Sequence, residues 1–389
     1  MRDRYLSRIL IAVVFFIVYG SLYPWHFAWH DLPASPLWIL LHSWDARLSR
    51  RDIADFCVNV ALYLPLGMAG YLAFRKHRIA GPVVIGVLLS ATVEMLQLFT
   101  PNRHCSTFDL LNNSLGSVAG VLCGRVFENL ARPRLEALGR WRSVDRSALA
   151  LLFCWAGSML FPLFPITSLP SLRQQAVLFA QGPWFPFIPF FSGAIVWLVC
   201  GRLFRAAGVR SPEFWLALSL LLVPAQFVIV FRHPAPVDFL ASITGFLLFF
   251  SMGRSRATEK AWAWGFIALL VLRGLAPFHF TFTRPQEFNW VPFGPFLAMD
   301  WQAGIVVLLG KVFYYGTAVW LVRAAGVRWR VAALSVALVL TALELLQIGL
   351  PGRTPEITDP LLALMLGGGL HALSPHRHSG EVPPFAGIA

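Results

Sequence analysis

Glu94, Arg103 and Asp109 can carry charge, and they stand in one short segment with Gln97, a neutral hydrogen-bonding amide, and Pro101. The same types return with unchanged spacing as Glu344, Gln347, Pro351, Arg353 and Asp359. A third set, Gln226, Arg232 and Asp238, keeps the Gln-x5-Arg-x5-Asp spacing and carries Val223 where the others have Glu. Glu and Gln three apart share one face of a helix. An Asp in the first turn of the next helix meets unsatisfied backbone N–H groups and the positive end of the dipole. Carboxylates brought close together favour retention of a proton, which suits acid–base work, and carboxylates with amides and aromatic rings suit sugars or cationic groups. Glu94, Gln97, Glu344 and Gln347 are therefore the candidate ligand contacts, with His26 and His279 near them. Arg103, Asp109, Gln226, Arg232, Asp238, Arg353 and Asp359 are the candidate positioning or structural groups. Arg103 is expected to pair with Glu94 and Asp109, and Arg353 with Glu344 and Asp359, pinning the tip of a helical hairpin.

The elements that must position these groups are membrane helices. Of 389 residues, 57% are hydrophobic and 13% charged, about half the charged share of an ordinary soluble domain. Apolar runs long enough to cross a hydrocarbon core of about 30 Å recur along the chain. They are centred near Val14, Leu64, Leu89, Val118, Phe153, Val196, Leu221, Thr244, Leu269, Ala318, Val339 and Leu364. A charge inside such a segment costs roughly 2.5–3.5 kcal/mol, so a Glu placed at one depth twice is costly to keep. The motifs recur about 120–130 residues apart, a spacing that marks a tandem repeat. The expected fold is an all-α polytopic membrane protein. It has about twelve transmembrane helices as three parallel four-helix repeats, with short interfacial helices on the outer face.

The net charge of +13 follows orientation rather than nucleic acid. Arg and Lys gather in alternate loops, at Arg2, Arg4 and Arg8, at Arg75, Lys76 and Arg78, between Arg125 and Arg146, and at Arg323, Arg328 and Arg330. The positive-inside rule then puts both termini in the cytoplasm and all three motifs on the outer side of the membrane. The basic N-terminus before an apolar run is not read as a signal peptide, because its ending, Leu22-Tyr23-Pro24-Trp25-His26-Phe27, returns as Leu275-Ala276-Pro277-Phe278-His279-Phe280. Cys57, Cys105, Cys123, Cys154 and Cys200 show no CxxC pairing and read as small hydrophobes. No Walker loop, nucleotide fingerprint, Ser-His-Asp spacing or metal-ligand cluster is present, so no cofactor and no metal is expected.

The domain reading is a first four-helix repeat at 1–130, a degenerate second at 147–253, a third at 261–375 and a cytoplasmic tail at 376–389. Polar linkers near Arg125–Arg146 and Arg254–Lys260 separate the repeats. Leu37, Leu41, Trp44 and Leu48 at helical spacing predict a short helix lying in the outer interface. Trp25, Trp29, Trp38, Trp44, Trp184, Trp290 and Trp301 would form an outer aromatic belt. Three acidic motifs meeting round a common axis would line an outward cavity.

The strings Asn59-x3-Tyr63-Leu64-Pro65-Leu66-Gly67, Glu94-x2-Gln97-Leu98-x2-Pro101-x-Arg103 and Ser106-x2-Asp109-Leu110-x-Asn112-x3-Gly116 resemble the VanZ-like family of bacterial membrane proteins. Glu344-x2-Gln347-x3-Pro351-x-Arg353 with Asp359 resembles the second part of that pattern, while Lys311, Tyr315 and Gly316 stand where the Asn…Pro-Leu-Gly string would be. The resemblance implies four-helix units and a cell-envelope role, and supplies no catalytic residues. The leading expectation is an outward acidic site that binds, and moves or modifies, a lipid- or polyprenyl-linked envelope glycan. Membrane lipids and envelope-assembly proteins are the expected partners. A secondary transporter and a non-catalytic scaffold for envelope enzymes are the alternatives, and whether the chain catalyses a reaction stays open.

Overall fold

The computed structural model describes residues 2–44, 50–101, 103, 105–131, 144–252, 259–281, 283 and 285–374. The expected tail at 376–389, most of the first linker and Leu48 lie outside them. Contacts divide the chain into two compact units, Met1–Trp141 and Arg142–Ala389.

Regular structure among the described residues is helical, apart from isolated bridges at Pro165–Ile229 and Asn289–Glu356. The first unit contains α1 (Arg2–Ser21), α2 (Pro36–His42), α3 (Arg50–Ala73), α4 (Ala80–Gln97) and α5 (Thr107–Val126). The second contains α6 (Arg146–Leu160), α7 (Leu169–Gln181), α8 (Phe187–Ala206), α9 (Pro212–Ser219), α10 (Leu222–Ala225), α11 (Pro236–Met252) and α12 (Glu259–Leu275). It continues with α13 (Gly294–Ala298), α14 (Trp301–Ala324), α15 (Trp329–Gln347) and α16 (Thr358–Leu373).

Helix boundaries follow local chemistry. Ser35 caps α2 by accepting from the Trp38 N–H at 3.3 Å, with Pro36 at the first position. Asp145 caps α6 through Ser147 and Ala148, and its second oxygen accepts from Trp320 Nε1 at 3.0 Å. That bond ties the start of α6 to α14. The expected interfacial helix begins as foreseen at Leu37 and Leu41, and α2 ends at His42.

The chain is a multi-pass membrane protein. Among the described residues, the segments Asp55–Ala73, Ala80–Gln97, Phe187–Ala206, Trp301–Ala324 and Trp329–Gln347 are long and apolar enough to cross a bilayer, and shorter apolar helices accompany them. Large apolar side chains point outward along these helices, Phe153 at 76% exposure and Trp264 at 70%. In water such a surface would aggregate; in lipid it is solvated. The apolar run near Leu221 forms the apolar helical stretch Pro212–Val228. It is irregular: a turn at Leu220 and Leu221 separates α9 from α10, which contains Pro224, and a 3-10 turn follows at Gln226–Val228.

Packing relies on small residues, as expected where lipid tails leave no hydrophobic drive between helices. In the first unit α3 runs against α5, which presents Gly116, Gly120 and Gly124 at four-residue spacing. A Cβ on Gly120 would lie 2.1 Å from the Leu64 carbonyl oxygen, so the two backbones touch. In the second unit α8 pairs with α11, α14 with α16, and α15 with α16. A core of Trp155, Trp197, Phe249, Phe266 and Phe313 fills the space between them. Trp155 meets Trp197 edge-on with ring centres 4.8 Å apart.

Candidate functional site

All three motifs fold into the same turn. The amide of Thr100 donates to Gln97 (3.0 Å) and that of Arg103 to Thr100 (3.3 Å). The corresponding bonds are Ile229 to Gln226 (3.2 Å) and Arg232 to Ile229 (3.3 Å), then Leu350 to Gln347 (2.9 Å) and Arg353 to Leu350 (3.2 Å). Each turn is also bonded to the segment that follows a proline at the end of an earlier helix. Ala28 donates to the Phe99 carbonyl (2.8 Å), Ile166 to Val228 (2.8 Å) and Thr281 to Gly349 (2.7 Å). These donors stand four residues after Pro24, Pro162 and Pro277, each of which is preceded by a cis bond and followed by a residue with positive φ.

The Gln and Arg side chains are spent on helix ends. Gln97 Nε2 donates to the Ser21 carbonyl at 2.9 Å and Gln347 Nε2 to Gly274 at 3.1 Å, in each case three residues before the proline. Gln226 instead turns back to Leu222 in its own helical turn, at 3.4 Å. Arg353 donates to the carbonyls of Ala276 (2.5 and 3.2 Å) and Arg273 (2.8 Å). Arg232 makes the same pair, Nε to Phe161 at 3.0 Å and a second nitrogen to Ser158. These are the orphan carbonyls of α6 and α12, at the negative end of each helix dipole. The expected pairing of Arg353 with Glu344 and Asp359 is therefore corrected: the guanidinium caps the C-terminus of α12. Bare helix-end carbonyls in an apolar medium demand donors more strongly than carboxylates that already have them. Arg103 is exposed.

Glu94 and Glu344, both 3% exposed, hold one backbone group each. Glu94 Oε2 accepts from the Ser106 N–H at 3.0 Å, and Glu344 Oε2 from the Glu356 N–H at 2.7 Å, twelve residues on in both cases. Twelve residues after Val223 is Ala235, whose N–H donates to Asp238 Oδ2 at 2.8 Å. Where the Glu is missing, the helix Asp takes over the same amide. Asp238→Ala should leave that N–H unpaired and cost about 1 kcal/mol, and adding Val223→Glu should recover the loss. Thermal unfolding of the three proteins checks this, and equal midpoints for Asp238→Ala and wild type would refute it.

In the other two motifs the Asp is engaged elsewhere. Asn59 on α3 donates Nδ2 to Asp109 Oδ1 at 2.6 Å. On α14, Lys311 reaches both Glu356 and Asp359, and the Tyr315 hydroxyl donates to the second oxygen of Asp359. Lys311 precedes Tyr315 by four residues, as Asn59 precedes Tyr63. The first motif thus pairs Asn59 with a Ser at 106, and the third pairs Lys311 with a Glu at 356. The extra cation and the extra carboxylate arrive together.

Behind Glu94 the first unit contains further polar groups. Asn113 donates to Ser90 Oγ at 2.9 Å. The Tyr63 hydroxyl lies beside Ser90, and Asn113 Oδ1 is buried without a hydrogen-bond partner among the described residues. Cys105 lies in the adjoining turn, and burial, followed by the nearby Glu94, pushes its thiol up to about 11. His26 and His279 are both exposed, each following a positive-φ residue, Trp25 or Phe278.

Sequence reasoning did not assign Asn59, Tyr63 or Asn113 to the site; it counted Glu356 among the acidic groups of the third motif and Lys311 as a charge within a span. A position-by-position comparison of the first and third motifs would have drawn attention to the joint change of Asn59 and Ser106. Residues 8–128 match the family model described as VanZ/LLP1. No curated protein and no solved structure matches the chain.

Proposed function

Taking the VanZ-like domain of residues 8–128 as the premise, we propose that this membrane protein binds a lipid- or polyprenyl-linked envelope glycan at an outward-facing acidic site. The observation that carries the reading is Asn113 Oδ1, buried behind Glu94 without a hydrogen-bond partner among the described residues. Buried polar groups are nearly always bonded, and exceptions call for an explanation. A hydroxylated ligand reaching past Glu94 would donate to Asn113 Oδ1. Gln97, Arg232 and Arg353 are structural in this reading, since their donors close helix ends. Glu94 and Glu344 are the carboxylates that contact ligand in this reading. The matched turns, proline corners and Gln and Arg caps also support taking the chain as one four-helix unit present three times.

The test is mass spectrometry of lipids retained by the protein in native nanodiscs, for wild type and for Glu94→Gln/Glu344→Gln. A lipid-linked glycan retained by wild type and missing from an equally stable variant is the expected result. Identical lipid profiles from proteins of equal melting temperature would remove the reading.

Transport is favoured by one specific observation, the Lys311 ion cluster on a membrane-spanning helix, because intramembrane charges commonly mark ion or substrate paths. Proton-gradient-dependent flux in vesicles, abolished by Lys311→Ala, would establish it; flux indifferent to the gradient would not.

A further inference from the structure

The second motif, which lacks the Glu, borders a cavity that the other two do not explain. It has a volume of about 300 Å³ and lies between the start of α7 and the short pairing of Pro165 with Ile229. Its polar lining includes Ser168, Ser171, Gln174, Gln175 and His233, and Phe231 forms an apolar wall. None of these side chains is a carboxylate, an amine or a guanidinium. The nearby Arg232 guanidinium is turned away, held by the Ser158 and Phe161 carbonyls. The cavity therefore offers hydrogen bonds without a fixed charge.

Two details indicate a built site. Gln175 is 6% exposed and fully committed: Nε2 donates to the Arg232 carbonyl at 2.5 Å, and Oε1 lies 3.0 Å from His233 Nδ1. An amide oxygen only accepts, so Nδ1 carries the proton and Nε2 of the neutral ring is left as an acceptor. The second detail is Phe231. Eight residues after Val223, it has φ 62° and is 71% exposed. Eight residues after Glu344 the same place in the turn holds Gly352, φ 78°. Glycine adopts this conformation freely, whereas a bulky side chain is a true outlier there. Phe231 holds that conformation with its ring exposed at the cavity wall.

We propose that this cavity binds one neutral sugar residue, the C–H face of the ring stacked on Phe231 and its hydroxyls bonded by Gln174 and by His233 Nε2. A flat apolar wall beside neutral donors and acceptors matches the two faces of a pyranose. The volume is at the lower end of ligand cavities, about 300–1,000 Å³, which fits a single ring. The site is separate from Glu94 and Glu344, so it stands or falls independently of the acidic site.

The experiment uses the full chain in nanodiscs. In one arm, saturation-transfer NMR screens free glucose, galactose and N-acetylglucosamine. In the other, glycolipids with the same head groups are built into the disc, and their retention is read by native mass spectrometry. Phe231→Gly, which places the residue this turn prefers, should weaken sugar binding about tenfold, and Gln174→Ala at an exposed position should weaken it as well. Glu94→Gln/Glu344→Gln should leave it unchanged. Binding in the first arm assigns a free saccharide, and binding in the second alone assigns a membrane-linked one. No binding in either arm, or wild-type binding by both Phe231→Gly and Gln174→Ala, overturns the proposal.

Discussion

Lys311→Asn will destabilise the protein by about 3–5 kcal/mol, the cost of leaving buried carboxylates without their cation. Glu356 and Asp359 are 4% and 5% exposed, and both depend on the same ammonium group. Adding Glu356→Ser should return most of the loss, because Asn with Ser is the combination already present at Asn59 and Ser106. The amide at position 356 would still donate to Glu344, as that of Ser106 does to Glu94. A double-mutant cycle by thermal or denaturant unfolding in one detergent measures the coupling. A single variant as stable as wild type, or a double variant no better than the single, would refute the account.

Gly120→Ala is expected to cost about 3 kcal/mol, even though the same change in an open helix gains up to about 1 kcal/mol. The new Cβ would sit 2.1 Å from the Leu64 carbonyl oxygen and 2.8 Å from the Met68 nitrogen. Both are backbone atoms, so no rotamer change relieves the clash and α3 must move off α5. Gly310→Ala is the control. Nothing lies within 4 Å of the added carbon, so that variant should melt at or above the wild-type temperature. Equal melting temperatures for Gly120→Ala and wild type would show that the helices separate without penalty.

The helical membrane architecture was readable because apolar length and loop charge are properties of composition alone. The turn at Leu220 and Leu221 inside the apolar stretch was not, since hydropathy registers the run and is blind to a local irregularity within it. In the site, the spacing of Glu, Gln, Arg and Asp located the turn correctly. The partner of Arg353 was misjudged because backbone carbonyls leave no trace in a sequence, whereas Glu344 and Asp359 are visible and of opposite charge. Lys311 could be seen only as an unexplained charge within a span. Its reason becomes clear when Asn59–Ser106 and Lys311–Glu356 are compared as pairs. Gly116, Gly120 and Gly124 advertise a small-residue interface, but the partner helix they meet is fixed by tertiary structure.

The amide bonds at Ala28, Ile166 and Thr281, with the Gln97, Gln347, Arg232 and Arg353 caps, all gather at the motif ends of their helices. The far ends carry ties of another kind: Arg78 reaches Glu128 in the first unit and Asp145 holds Trp320 in the second. The motif ends are thus fastened mainly through backbone carbonyls, which no side-chain substitution at the acceptor can remove, and the far ends through side chains that a single substitution would release.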